Sequence, residues 1–198
     1  IVGAYAAESA GGANAEGESY VVFGGDFNGA VTHLGGDADD TLTGSAAAET
    51  FVGGTGDDTM SGNGGSDAFQ GGVGDDVLRV ATLDFFVADG GTGTDTLALD
   101  GSGLHLDLTA LADSRTRSTE RIDIGGTGNN TLTLSALEVL NLSDESNELL
   151  VLGDAGDVVN QGAGWTANGT SIIDGETYQV YNTGEAVLLV DTDMTVNA

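Results

Sequence analysis

Between residues 35 and 98 the large apolar side chains stand singly among polar and glycine positions, at Leu42, Phe51, Met60, Phe69 and Leu78 and, after a ten-residue spacer, at Leu97. The first five recur every nine residues, and a fixed period of this kind is read before any local propensity. From Gly35 the nonamers run GGDADDTLT, GSAAAETFV, GGTGDDTMS, GNGGSDAFQ and GGVGDDVLR. The spacer VATLDFFVAD (80–89) precedes GGTGTDTLA (90–98), and a diverged copy, GGTGNNTLT, stands at 125–133. Each apolar residue with its two neighbours predicts a short strand whose central side chain points inward. The six residues before it must turn the chain, and glycine at positions 1, 2 and 4 permits the positive φ and close backbone approach of a tight turn. Two nonamers complete one coil of a parallel β-roll, so residues 18 apart stack in columns.

The pattern changes after residue 98. LHLDLTAL (104–111), RIDI (121–124), TLTL (131–134) and ELLVLGD (148–154) alternate apolar and polar positions, which marks half-buried strands. They predict a β-helical continuation resting on a hydrophobic core in place of glycine loops. SALEVLNLS (135–143) reads as either a short helix or another coil edge. Residues 161–198 carry turn dipeptides, NG, DG and TG, between β-rich runs and predict hairpins. Four segments result: 1–34, a β-hairpin cap; 35–98, the roll; 99–160, its continuation; and 161–198, a β-rich C-terminal cap.

Charge adds a demand that the apolar pattern does not meet. The chain sets 32 Asp and Glu against four Arg and no Lys, for a net charge of −28. Leu, Ile, Val and Phe make up 48 of 198 residues, only slightly above the roughly 20% below which a highly charged chain is expected to stay disordered. Compaction then works against self-repulsion and calls for a cation. Nucleic acid is excluded as a partner, because four Arg cannot form a basic stripe. An anionic membrane surface is excluded on the same ground, and no apolar run approaches the ~18 residues of a membrane-spanning helix. Without Cys there are no disulfides, Cys-type zinc sites or thiol chemistry. The chain begins at Ile1 without Met and is expected to be part of a longer protein, so the missing signal peptide is uninformative.

The sixth position of the nonamer supplies the acid. Asp40, Asp58 and Asp76 are 18 residues apart, and Asp95 follows 19 later because the spacer is one residue long. Carboxylates stacked at the ~4.7–4.9 Å strand spacing repel one another unless a cation lies between them. Ca²⁺ accepts six to eight oxygens at about 2.3–2.6 Å, including the backbone carbonyls that glycine turns expose. The candidate ligand loops are therefore those of Asp40, Asp58, Asp76 and Asp95 on one side and Asp67 on the other, with Gly36, Gly54, Gly56, Gly72, Gly74, Gly91 and Gly93 shaping them. The opposite side is poorer: the loop from Gly44 has Ala46, Ala47 and Glu49, and the spacer has no glycine loop. About three ions are expected in the good column and one or two opposite, or about three to five in all.

These nonamers resemble the RTX calcium-binding repeats of proteins exported by bacterial type I secretion, most fully at GGTGDD (53–58) and GGVGDD (71–76). The resemblance implies an all-β fold, a right-handed parallel β-roll or β-helix with calcium-binding turns, capped by short antiparallel strands at both ends. Residues 1–25 resemble half of an FG-GAP propeller blade, with IVGA and YVVFG strands; DFNGAV (26–31) keeps Asp26 and Asn28 of its calcium loop but has Ala30 where an acid belongs. Residues 161–198 resemble the C-terminal ends of large RTX adhesins, and LLVDTDMTVNA resembles a type I secretion signal. The implied protein is a calcium-binding structural module that folds on reaching extracellular calcium. It would be the C-terminal region of a secreted or cell-surface adhesin, with the type I secretion machinery as partner. A carbohydrate- or surface-binding module, with glycans as ligands, and the accessory tail of a secreted hydrolase or lyase are the alternatives.

Catalytic motifs are absent from the sequence: there is no HExxH, GxSxG, glycine–lysine phosphate loop or Cys nucleophile, and no enzyme is expected. His33 falls in a turn-like stretch and His105 on the outward face of a strand. Arg115, Arg117 and Arg121 read as counter-charges to neighbouring acids. Trp165, Tyr178 and Tyr181 read as the seal of a β-structure, with a sugar-stacking platform as the alternative. Asp154 and Asp157 in GDAGDVV read as a solvated turn, with one further ion as the alternative.

Overall fold

The computed structural model describes residues 31–143 and 146–198. The FG-GAP-like segment, Asp26, Asn28 and most of the N-terminal cap lie outside the described residues. The rest is an all-β coil of parallel sheets. One face stacks His33–Leu34, Thr50–Thr55, Ala68–Val73, Val87–Thr92 and Thr116–Arg117. A second face stacks Thr41–Thr43, Thr59–Ser61, Val77–Val80, Thr96–Leu99, Arg121–Asp123, Glu148–Leu152 and Ala186–Asp191.

The nonamer period fixes the register. Leu42 pairs with Met60, Met60 with Leu78 and Leu78 with Leu97, and the same inward column runs on through Ile122, Val151 and Val190. Because side chains alternate along a strand, a slip of one residue would turn this whole column out to solvent. On the first face His33, Phe51 and Phe69 stack ring on ring, with centroids 4.5 and 4.9 Å apart. That is the spacing of the strands that carry them. His33 thus lies in a strand and not in a turn; its imidazole fills an inward position of the same period as Phe51. The aromatic column ends where Phe69 pairs with Ala88, and Phe85 from the spacer is buried in the core.

From Thr96 onward the coil gains a third face: His105–Asp107, Thr131–Thr133, Val158–Asn160 and Thr195–Asn197, all parallel, with Leu106, Leu132, Val159 and Val196 in register. Residues 135–143 resolve as a helix, Ala136–Leu142, which buries Val139 and Leu142 and packs against Thr116–Arg117 and Ala186–Asp191. The spacing of its apolar residues left helix and strand open, and the burial of one side settles it. At the C-terminal end Thr166–Ile173 and Glu176–Thr183 pair antiparallel, and the latter pairs antiparallel with Ala186–Asp191.

Tyr178 and Tyr181 are three apart on one strand and therefore point to opposite sides. Tyr178 is buried against Leu150 and Leu189, while Tyr181 and Trp165 pack on the main core. Trp165 Nε1 donates to the Gln161 carbonyl at 2.7 Å. Trp165 and Tyr181 thus cover the main core and Tyr178 a separate cluster on the other side of the sheet, so the three rings present no shared platform.

Candidate metal centre

The loops 35–40, 53–58, 71–76 and 90–95 join the first face to the second and form one row. Strand pairing continues into them, aligning Gly54, Gly72 and Gly91. Positions 2 and 4 take positive φ at Gly54, Gly56, Gly72, Gly74, Gly91 and Gly93. A Cβ on Gly72 or Gly91 would also overlap the carbonyl oxygen of the glycine one coil below. Gly36 departs from the expectation: it is not among the positive-φ glycines, and a Cβ there would meet only Asp40 Oδ2, at 3.8 Å. The position-1 glycines also lack positive φ and serve a different need. At Gly53, Gly71 and Gly90 the space of the missing Cβ is shared by the loop's own Asp Oδ2 and by a carbonyl oxygen from the next coil.

Two ladders of carboxylate-to-amide bonds tie the loops together. The Asp40 amide donates to Asp58 Oδ1 at 2.7 Å, Asp58 to Asp76 at 2.8 Å, Asp76 to Asp95 at 2.8 Å and Asp95 to Glu120 Oε2 at 2.9 Å. The fifth-position acids run the other way. Asp57 donates to Asp39 Oδ1 at 2.9 Å, Asp75 to Asp57 at 2.8 Å and Thr94 to Asp75 at 2.7 Å. Asp39, Asp57 and Asp75 thus hold successive loops together, a role that the sixth-position column overlooked; the doubled acids at 39–40, 57–58 and 75–76 were the available signal.

One oxygen of each central sixth-position acid remains. Asp58, Asp76 and Asp95 are at most 1% exposed, and their Oδ2 atoms have no hydrogen-bond partner. Each lies, with a carbonyl oxygen of the next coil, against the point where a glycine Cβ would stand, and no donor partners it. A buried unsatisfied acceptor costs on the order of 1–3 kcal/mol, and more when it is charged. Among the described residues no three acidic or imidazole side chains converge. The convergence is of one carboxylate oxygen with backbone carbonyls, the donor set that a hard cation such as Ca²⁺ accepts.

Asp157 is the control. It holds the same sixth place in LGDAGDVVN, is 1% exposed and accepts from the Asn130 amide and the Asp154 amide, both at 2.7 Å, one on each oxygen. Both oxygens have an amide partner, so Asp157 is a buried structural acceptor and not a solvated one. Asn130 and Asp157 repeat the amide ladder on the third face, where the Leu104 amide donates to Asn130 Oδ1 at 2.8 Å.

The opposite row is built differently. The Ser45 amide donates to Glu49 Oε2 at 2.6 Å and the Glu49 amide to Asp67 Oδ1 at 2.9 Å, so Glu49 stands in for the sixth-position acid. The Ser45 bond holds the Glu49 carboxyl below its usual range. Asp67 is buried, which pushes its carboxyl up. At the spacer, where no glycine loop exists, the Arg115 guanidinium donates to the Leu83 carbonyl at 3.0 Å and to the Phe85 carbonyl, and lies 4.7 Å over the Phe85 ring. Arg115 is therefore not the counter-charge to neighbouring acids that the sequence suggested: its partners are carbonyl oxygens. Arg117 pairs with Asp89 at 2.8 Å and Arg79 with Asp100 at 2.6 Å. Among the described residues every unpartnered buried carboxylate oxygen lies in the first row.

Residues 43–78 match the RTX calcium-binding nonapeptide repeat, in four copies. RTX repeats are structural, calcium-binding units, and the matched span holds Asp58, Asp67 and Asp76. No curated protein and no solved structure matches the chain.

Burial sets the acidity of the RTX row. It is the leading cause that raises Asp58, pushes Asp76 up to about 6 and pushes Asp95 up to about 7; repulsion from neighbouring acids adds to it. These groups bind protons more tightly in the folded than in the unfolded chain, where an Asp titrates near 3.9. Their contribution to stability is thus present below about pH 4 and is lost as pH rises through about 6 and 7. The calcium-free protein is expected to unfold at lower urea concentration at pH 6.5 than at pH 5. A midpoint that rises over this range would contradict the assignment.

Proposed function

We propose that this chain is a calcium-dependent structural segment of an exported protein, carried through a type I secretion channel unfolded and folded by coupled binding outside. The unpartnered buried oxygens of Asp58, Asp76 and Asp95 carry the reading. Bound Ca²⁺ would supply the charge that lets these carboxylates stay ionised in the core. The residues that would hold it are Asp40, Asp58, Asp76 and Asp95 with the loop carbonyls of the first row, and Asp67 in the second, for about three to five ions. Gly54, Gly56, Gly72, Gly74, Gly91 and Gly93 bring the loop backbones close enough to share them, a role that Gly36 does not need to play. In low calcium the row repels itself open, which suits passage through a narrow channel. Successive coils share oxygens, so closure propagates from coil to coil.

The C-terminal stretch fits this order of events. LLVDTDMTVNA supplies Leu188 and Val190 to the core, both fully buried, and Thr195–Asn197 to the third face. As a secretion signal it is readable only before this part folds. The best parent for such a segment is a secreted or cell-surface adhesin of bacteria.

Producing the chain in a bacterium that carries a type I exporter tests both halves. Export is expected with or without calcium in the medium, and protease resistance of the exported chain only with it. Retention in the cell overturns the secretion reading; resistance without calcium overturns the folding one.

A further inference from the structure

The carboxylate row continues one step past the last glycine loop. Arg121 pairs with Thr96, so Glu120 occupies the place that Asp95 holds one coil below. Glu120 receives the Asp95 amide just as Asp95 receives that of Asp76. Its turn, Ser118–Thr119–Glu120, has no glycine and no Asp and is half as long as Gly90–Asp95, which is why the repeat pattern does not reveal it. The carbonyl row continues as well. Ser118 O stands over Gly90 as Gly90 O stands over Gly71 and Gly71 O over Gly53. Asp95 Oδ2 meets the same point on Gly90, is buried and has no partner.

Arg117 is engaged with Asp89 and Arg115 with the carbonyls of Leu83 and Phe85, while Arg121, next to Glu120 in the chain, lies near enough to Tyr178 to act on its hydroxyl. The Thr119 hydroxyl donates to the Arg117 carbonyl at 3.1 Å. Two acceptors therefore share one point without a donor, and a second carboxylate stands beside them.

We propose that Asp95, the Ser118 carbonyl and Glu120 form a terminal calcium site that closes the first row above its last glycine loop. It rests on the calcium reading above and adds one ion to those the glycine loops share. The two rows then end by different means. One ends in a divalent cation held by an acid outside the repeat, and the other in the fixed guanidinium of Arg115.

Glu120→Gln keeps an oxygen for the Asp95 amide and removes the charge. Calorimetric titration of the full chain with calcium is expected to count one ion fewer in this variant, with an unchanged circular dichroism spectrum at saturation. An equal count with equal affinities overturns the site. A crystal structure of the unaltered chain grown in calcium provides the second test. An anomalous peak beside Asp95 Oδ2 and Ser118 O supports the site. Ions in the lower loops with a water at this point overturn it, and ions in no loop overturn the calcium reading itself.

Discussion

Removing calcium is expected to unfold the roll over residues 35–98, with loss of its β signal in far-UV circular dichroism at pH 7.5. The expectation follows from what the three central acids would face without a cation. Asp58, Asp76 and Asp95 are buried by their own coil and its neighbours, and each has spent one oxygen on an amide while the other has no partner. Leaving a buried charge uncompensated costs about 3–5 kcal/mol. A domain has only about 5–15 kcal/mol in total, so two or three such charges are enough to cancel it. Protonation relieves part of this, since Asp95 is pushed up to about 7, but at pH 7.5 most of that relief is gone. Returning calcium at about millimolar concentration should restore the spectrum steeply, because loops that share ions fold together. An unchanged spectrum in chelator would mean that the hydrophobic column alone holds the roll, and would overturn the coupling of folding to calcium.

Gly72→Ala is expected to disable the roll even in saturating calcium. Gly72 sits at φ 124°, where an L side chain is strained, and its Cβ would overlap the Gly54 carbonyl oxygen. That oxygen belongs to the backbone of the adjoining coil and cannot swing aside. The neighbouring coils would have to separate at the point where their loops come together, and a loss on the order of 4 kcal/mol or more is expected. Two controls share parts of the chemistry. Gly36→Ala changes the same motif position but meets only Asp40 Oδ2 at 3.8 Å, and should be nearly neutral. Gly103→Ala keeps a positive φ, 67°, in open space and should cost about 1 kcal/mol. Thermal unfolding of the three variants in calcium checks the order. If Gly72→Ala matches Gly36→Ala, the close approach of the coils does not limit stability.

These contrasts mark how far the sequence could be read. The inward column from Leu42 to Leu97 and the stacking of Asp58 on Asp76 are legible because a period of 18 is a geometric statement: residues one coil apart must be neighbours. Asp157 looked like a turn residue and is a buried acceptor, because the Asn130 amide that satisfies it lies 27 residues away. Arg115 looked like a counter-charge and instead serves two carbonyls 30 and 32 residues earlier. Glu120 belongs to no motif at all and takes its place through strand pairing with the coil below.

The sequence by itself determined the coil: nine-residue spacing sets strand and turn, and the sixth-position acids fall in a row that no basic residue neutralises. Only the tertiary structure decided which of those acids keep a buried oxygen without a partner. That depends on whether an amide reaches the second oxygen, as the Asp154 amide of the same turn does at Asp157, or a carbonyl oxygen of the next coil shares its space, as at Asp58, Asp76 and Asp95. A carboxylate's type and spacing are local properties of the chain, whereas its burial and the carbonyl oxygens that share its space are set by how separate coils pack.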